Sequence, residues 1–425
     1  MWTHIFRAAN PPSPREQVEE QLRAIEGGYS GWLGGTSTVN YRSGTAGYDK
    51  LAAIETPFEA ATPLGVNARL VAVAKPVFLD SGAASAGSAT ISVLESNGSG
   101  NSLFTIPEPI GTLTTTSTTA PAQQSAVGIG GELELIFPHL AIAGGYTPSN
   151  FLVSTFTGRF QWRPASGPLT FSLLRDSVKD SQLSYAGLRD PAGNTLTSRG
   201  QIWGGVVANQ AQVQFAHGGA LSGFYISAGG QYLTGDNTLS NTRIDGNAGA
   251  YWHVLTLPEH GDLAVGANFF GMHYANNQNA FTFGMGGYFS PQTYILANVP
   301  FNWVGHWQTR WHYTLIGSLG VQAFEQASTP LWPLAAQKAL EVSQGNPMLP
   351  ALTSVGASYD LKSEVAYQVS PHLFAGFNVA ANNTRNYNFS SVGFFLRFTF
   401  REQPSAVAAP TGLFPTDGLR PFTVP

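Results

Sequence analysis

Cysteine is absent from the 425 residues of the chain, which removes disulfide staples, thiolate zinc sites and cysteine nucleophiles together. Charge is scarce too. Asp, Glu, Lys and Arg make up 11% of the residues, against about 25% in an ordinary soluble domain, and the net charge of -4 is too mild to point to a nucleic-acid partner. No run reaches the roughly 18 apolar residues of a membrane-spanning helix, so a bundle of such helices is excluded; a membrane, if one is involved, is crossed by strands. The polarity that charge does not supply comes from 48 Gly together with Ser, Thr, Asn and Gln, beside a 12% share of aromatics and an ordinary hydrophobic fraction of 43%. Outer-membrane barrels have that mixture.

Length alone allows two or three soluble domains of about 150 residues or one barrel of about 370 residues, and composition favours the barrel. Residues 1–14 carry an early Arg7 but no apolar core of about 7 to 15 residues, so they do not read as a secretory signal. An exported barrel needs one, and the expectation is a piece of a longer exported chain whose signal peptide is not in this chain. Ser13, Pro14 and Glu16 read as an N-cap, a first-turn proline and a capping-box acid. Val18, Leu22 and Ile25 then share one helical face, and Gly27 and Gly28 stop the helix. Its apolar stripe needs a preceding element to dock on.

From Gly34 the hydrophobic period changes from 3.6 to 2, the change from helix to half-exposed strand. Trp311, Tyr313, Leu315, Leu319 and Val321 alternate with Arg310, His312, Thr314, Ser318 and Gln322. Phe156, Phe160 and Trp162 alternate with Thr157, Arg159, Gln161 and Arg163, and Ile244, Ala248, Ala250 and Trp252 with Arg243, Asp245, Asn247 and Tyr251. A soluble sandwich would alternate in the same way. Two features favour the membrane: Trp162, Trp252, Trp303 and Trp311 sit near the ends of apolar faces like interfacial girdle residues, and 16 to 18 candidate strands fit between Gly34 and Phe400, at about 23 residues per strand and connection. The last strand reads Val392, Phe394, Leu396, Phe398 and Phe400. Residues 80–125, 179–199 and 330–352 do not alternate and read as long loops, while 401–425, with five prolines, cannot be a ladder strand.

Several stretches carry more than pattern. Tyr41-Arg-Ser-Gly-Thr-Ala-Gly47, Asp176-Ser-Val-Lys-Asp-Ser-Gln-Leu-Ser-Tyr-Ala-Gly-Leu-Arg-Asp-Pro191, Trp203-Gly-Gly-Val-Val207, Leu233-Thr-Gly-Asp-Asn237, Gly286-Gly-Tyr-Phe-Ser-Pro-Gln292 and the closing stretch from Arg385-Asn-Tyr-Asn to Phe400 resemble, in order, the C-terminal region of cellulose synthase operon protein C. The resemblance implies an all-β fold, a transmembrane antiparallel barrel of about 16 strands in the bacterial outer membrane, preceded by periplasmic tetratricopeptide repeats. The chain then divides into a linker helix in 1–33 at the end of that repeat scaffold, a barrel over 34–400 and a Pro-rich tail over 401–425 that either hangs in the periplasm or, having no core of its own, folds into the lumen as a partial plug. It also implies partners: a linear glucan, cellulose; the outer-membrane lipid; and an inner-membrane cellulose synthase complex reached through the repeats that this chain lacks. No cofactor is implied.

A lumen that passes a glucan needs many weak, replaceable contacts, because a tight site would stall the chain. Sugar rings pack their apolar faces on aromatic rings and offer hydroxyls to amides and carboxylates. Strand parity places Tyr225, Tyr251, Tyr288, Tyr294, Phe374 and Phe395 on the lumen side. Arg159, Arg163, Gln212, Gln214, Asp245, Asn298, Lys362, Glu364 and Arg397 share it, the charged ones expected as ion pairs that set the shape of the pore. The family-matching loop with Asp176, Asp180, Tyr185, Arg189 and Asp190 is expected to gate it, with the acids salt-bridged to Arg175, Lys179 and Arg189. A glycosidase would use two carboxylates about 5 to 10 Å apart, and the same acids are the candidates for that. His306 with His312 and His253 with His260 lack a third ligand at metal spacing, and Gly284 to Gly287 lacks the helix and Lys of a phosphate loop. The expected function is passive export of cellulose or a related linear exopolysaccharide without catalysis. A general diffusion porin and a soluble all-β carbohydrate-binding or hydrolytic domain are the alternatives.

Overall fold

The computed structural model describes residues 30–65, 67–83, 90–94, 103–107, 124–165, 167–190, 200–219, 221–257, 260–343, 345–383, 387–406 and 413–414. The helix expected over 13–25 lies outside them. In chain order the strands are β1 (Trp32–Arg42), β2 (Leu51–Glu55), β3 (Phe58–Pro63), β4 (Arg69–Gly82), β5 (Thr90–Leu94), β6 (Leu103–Pro107), β7 (Gln124–Phe137) and β8 (Leu140–Tyr146). Next come β9 (Phe156–Trp162), β10 (Leu169–Ser177), β11 (Leu188–Arg189), β12 (Ile202–Gly218), β13 (Ser222–Asp236), β14 (Asn241–Leu257) and β15 (Gly261–Tyr274). The last are β16 (Thr293–Trp307), β17 (Trp311–Gln326), β18 (Thr329–Pro330), β19 (Met348–Leu349), β20 (Leu352–Ser370), β21 (Leu373–Asn382) and β22 (Phe389–Thr399).

Long strands pair antiparallel with their sequence neighbours, and β22 returns to pair with β1 from Trp32↔Thr399 to Arg42↔Phe389, closing a cylinder of 16 wall strands. Closure removes the free sheet edges that lipid could not satisfy. One wall strand is built from two pieces: β2 and β3 both pair with β1 and with β4. The break falls at Pro57, which has no N–H for the ladder; its carbonyl still accepts from the Thr36 N–H at 3.0 Å.

The period-2 pattern reads out as two faces. On β22, Val392 and Phe394 are 60% and 54% exposed on the outside, while Phe395 and Arg397 between and beside them are buried inward. On β17, Leu319 and Val321 face out, and His312, Thr314, Ser318 and Gln322 are buried inward. Trp162, Trp252, Trp307 and Trp311 cluster toward the end of the cylinder where the connections are short, and Trp303 and Trp311 make edge or tilted contacts with Tyr313 and Tyr367. Outer-membrane barrels keep their short turns on the periplasmic side and their long connections outside.

Within the stretches expected as long loops, 80–125, 179–199 and 330–352, several described residues form strand or helix. Residues 80–82 belong to β4 and 124–125 to β7. The second stretch holds a helix, Gln182–Ala186, and the short strand β11, and the third a helix, Lys338–Ser343. β18, β19, β5 and β6 form a separate four-stranded sheet, in which Met348 pairs with Leu94. Two connections rooted on different parts of the ring thus share one sheet. Such pairings join residues far apart in sequence and leave no local period to read.

One hairpin differs in height. β8 and β9 have seven residues each, against 14 in β7 and 17 in β12. A seven-residue strand is about 23 Å long and, tilted by about 40°, rises about 18 Å, less than the apolar band of about 25 Å.

Candidate functional site

The inward face of the wall encloses a chamber of about 900 Å³ lined by Asn40, Arg42, Glu55, Asp176, Gln210, Gln231, Arg243, Tyr294, Asn298, Ser318, Asp360 and Lys362, among others. The charges of the inward face are compensated where they stand. Lys75 Nζ lies 2.5 Å from Glu55, Arg159 lies 2.6 Å from Glu134 and 3.7 Å from Glu132, Arg243 lies 3.1 Å from Asp245, and Lys362 lies 3.7 Å from Asp360. Bare charges facing a narrow, low-dielectric wall would be costly, and pairing them recovers most of that cost. Asp245 and Arg159 are therefore held by neighbours. Arg163 falls in the β9–β10 turn, where its N–H donates to His139 O.

The aromatic residues divide into three groups. Tyr225, Tyr251 and Tyr294 lie on the inward face, as parity requires. Tyr225 donates to Asn268 Oδ1 at 2.8 Å, Tyr294 donates to Gln322 Oε1 at 2.9 Å, and Tyr251 is packed down beside Gly218 and Gly223. Tyr288 is not on a wall strand at all: it sits in the connection between β15 and β16, buried against Tyr274 and in hydrogen-bond contact with Asn241 Nδ2. The alternation around Tyr288 comes from a packed loop, and burial raises the Tyr288 phenol above its ordinary value.

Phe374, Phe395, Glu364 and Arg397 do face inward, but they are covered. Leu413 and Phe414 join Trp32, Phe374 and Phe395 in one buried cluster. The Phe414 ring stacks on His312 at 4.8 Å, and Arg397 Nε donates to Leu413 O at 3.0 Å. Arg397 also lies 3.2 Å from Glu59 and donates to Thr36. On the way, Gln403 N–H donates to Pro371 O and Ala406 N–H to Thr309 O, so the chain after β22 runs along the turns at the short end before Leu413 meets the inward face.

The opposite end of the chamber is covered by the connection after β10. The helix Gln182–Ala186 has Ser181 as N-cap with a reciprocal bond from Ser184, which satisfies two of the N–H groups a helix start leaves open. Leu183 packs with Trp203, Tyr48, Phe281 and Phe283, side chains from three other segments. Asp180 is the polar centre. Its carboxylate accepts from Phe289 N–H at 3.0 Å and from Tyr387 OH at 3.3 Å, and its carbonyl accepts from Arg42, whose guanidinium lies 3.8 Å over the Tyr387 ring. Ser181 Oγ donates to Gly287 O at 2.6 Å.

The expected salt-bridged loop is only partly formed. Lys179 lies 3.5 Å from Asp176, but Arg175 turns away to Asn209 and Thr155, and Arg189 donates to Gly200 O. Asp190 is buried where its N–H donates to Gln201 O. Asp176 thus pairs with Lys179, while the Asp180 carboxylate goes to Phe289 N–H and Tyr387 OH. Burial alone would lower the Lys179 ammonium, but Asp176, Tyr185 and Glu55 together outweigh it and raise it. Burial pushes the Tyr185 phenol up to about 12, against the pull of Lys179.

Arg42, Ser181, Phe289, Tyr387, Leu413 and Phe414 did not stand out by residue type. The signal that could have found the first four is their position: each falls inside one of the stretches that carry the family resemblance. Among the described residues no three His, Asp or Glu side chains converge on a point where a metal ion would fit.

Residues 49–401 match the family model described as "Cellulose synthase operon protein C C-terminus". The chain is 29% identical over 378 residues to "Cellulose synthase operon protein C" of Pseudomonas fluorescens (strain SBW25), covering 88% of this chain and 27% of the relative. It is 37% identical over 214 residues to "Cellulose synthase 1 operon protein C" of Komagataeibacter xylinus, covering 45% of this chain and 16% of the relative. The chain thus spans between a sixth and a third of these relatives' length. The solved structure titled "Bacterial polysaccharide outer membrane secretin" shares the fold at a TM-score of 0.50 and 11% identity, over 88% of this chain and 99% of that one. An outer-membrane β-barrel whose sequence matches that family model over most of its length belongs to the cellulose synthase operon protein C C-terminal family.

Proposed function

We propose that this barrel is the outer-membrane conduit through which a linear exopolysaccharide, cellulose or a close relative, leaves the cell passively, pushed by synthesis at the inner membrane. The observation that carries the reading is the charge-compensated chamber. The Arg, Lys, Asp and Glu side chains in and beside it hold one another, so they offer an uncharged chain no deep electrostatic trap, while the amides of Asn40, Gln210, Gln231 and Asn298 remain as shallow partners for sugar hydroxyls. Selective retention needs convergent strong contacts; conduction needs weak and repeated ones.

The covering segment around Asp180 and Tyr185 acts in this reading as the extracellular gate, and the tail that reaches Leu413 and Phe414 acts as a partial plug folded into the lumen from the periplasmic side. A barrel of 16 strands without such fillings would leak small solutes. Contact with the inner-membrane synthase would run through repeats on the N-terminal side, as in longer family members, and no cofactor takes part.

The test is single-channel conductance of the refolded barrel in a planar bilayer, with and without cello-oligosaccharides on one side. Transient blockades by the glucan, and none by a charged oligosaccharide of similar size, are expected. Openings that the glucan never interrupts would favour a general diffusion pore instead.

A further inference from the structure

The closing segment touches the wall where the wall is incomplete. β8 and β9 end at Tyr146 and Phe156, and β7 pairs with β8 only from Gly131 to Phe137, whereas its pairing with β4 continues up to Gln124. On the other flank β10 pairs with β9 from Phe171 to Arg175 and runs on to Ser177 beside β12 alone. Between these flanks the ladder is interrupted in the half of the cylinder that lies toward the long connections.

Residues 147–155 occupy that gap as a strap. Ser149 N–H donates to Ile129 O at 3.1 Å, and Thr147 N–H donates to Thr155 O at 3.0 Å. The strap turns inward at Phe151, which is 6% exposed, and leaves Leu152 45% exposed. The Phe151 ring meets the Tyr185 ring edge-on at 5.1 Å in a cluster with Val77, Leu79 and Ala186. Val153 N–H donates to Ala186 O at 3.0 Å. Behind Val153 the backbone of Gly205 has φ +58, and a Cβ there would sit 2.3 Å from the Val153 Cβ; only glycine lets the strap seat so deeply.

We propose that the strap and the helix Gln182–Ala186 together replace a missing stretch of barrel wall, so that the element closing the lumen also backs the wall. Resting on the reading of 178–190 as the gate, the inference makes opening of the pore and loosening of the strap one transition. The physical reason is local. The inner face of the strap is buried by Tyr185 and Ala186, and its Val153 N–H has Ala186 as its partner. When the helix leaves the chamber the strap loses both, in the part of the wall where neighbouring strands give it least support.

The absence of cysteine makes the test direct. Phe151→Cys, in the full chain reconstituted in lipid vesicles, is exposed to a membrane-permeant maleimide alone and combined with Asp180→Ala, which releases the gate at its far side. Leu152→Cys serves as a control that reacts in every background. The expected result is a rise in open probability together with a rise of about tenfold or more in the labelling rate of Cys at 151, as for a site released by local opening. Openings that increase while Cys at 151 stays protected would overturn the inference and leave the gate standing. Should Asp180→Ala change neither, deletion of 182–189 decides: a protected Cys at 151 then refutes the wall role, and unchanged conductance refutes the gate on which it rests.

Discussion

Asp180 is the most informative residue to remove. Its buried carboxylate accepts hydrogen bonds from Phe289 N–H and Tyr387 OH, tying together the connection after β10, the connection before β16 and the approach to β22. A hydrogen bond to a charged group contributes about 1.5 to 3 kcal/mol net. Losing two of them, partly replaced by water once the segment moves, should cost the closed state about 3 kcal/mol. At about 1.4 kcal/mol per tenfold, Asp180→Ala should raise the ratio of open to closed time about 100-fold. Asp180→Asn keeps an acceptor for Phe289 N–H but not the charge, and should give a smaller rise of about tenfold. The assay is single-channel recording of each variant, with the β-sheet circular dichroism and the heat-dependent gel mobility of the barrel as checks of folding. Open probability unchanged in a folded Asp180→Ala barrel would refute the claim that this hub holds the pore shut.

Three further outcomes follow from contacts already described. Because burial raises Tyr185 from an ordinary value near 10 to about 12, the closed state favours its neutral form; the stabilisation is complete below about pH 10 and is lost as pH rises through 12, so conductance should climb over that window and do so less in Tyr185→Phe. The raised Lys179 acts in the same direction. Phe414→Ala empties a pocket between His312, Phe374 and Phe395 and should cost about 3 kcal/mol of tail docking, read as increased protease cutting after Ala406 and as added conductance; a tail equally protected in the variant would argue against the plug. Leu319→Arg, on the outward face of β17, should destabilise the barrel in lipid by about 2 to 4 kcal/mol in equilibrium unfolding, whereas Ser318→Arg on the inward face should alter conductance with less effect on stability.

How much of this was legible depended on the range over which each feature is encoded. The wall was legible, because inside and outside alternate within one strand: Tyr225, Tyr251, Tyr294, Phe374 and Phe395 all point where parity puts them. Tyr288 failed because packed loops can mimic alternation over a few residues. Covering of Phe374, Phe395 and Arg397 by Leu413 and Phe414 could not be read, since the partners are short and apolar in a stretch without period. The proposed gate was half legible. Its loop was marked by the resemblance around Asp176 to Pro191, but that Arg42, Phe289 and Tyr387 converge on Asp180 is a property of the ring, which brings four distant stretches to one end. The helix Gln182–Ala186, at five residues, is too short to show a 3.6 period, and the sheet of β5, β6, β18 and β19 joins strands from different connections.

Arg397 has a bearing on assembly. From β22 its guanidinium reaches Thr36 on β1 and Glu59 on β3, and it also holds Leu413. These four points come together only when the first and last strands have met, so an unfinished, open sheet offers the tail a seat without Trp32, Thr36 and Glu59. The docked tail is thus held most firmly by a sealed ring, and its resistance to protease should rise when the first and last strands have paired.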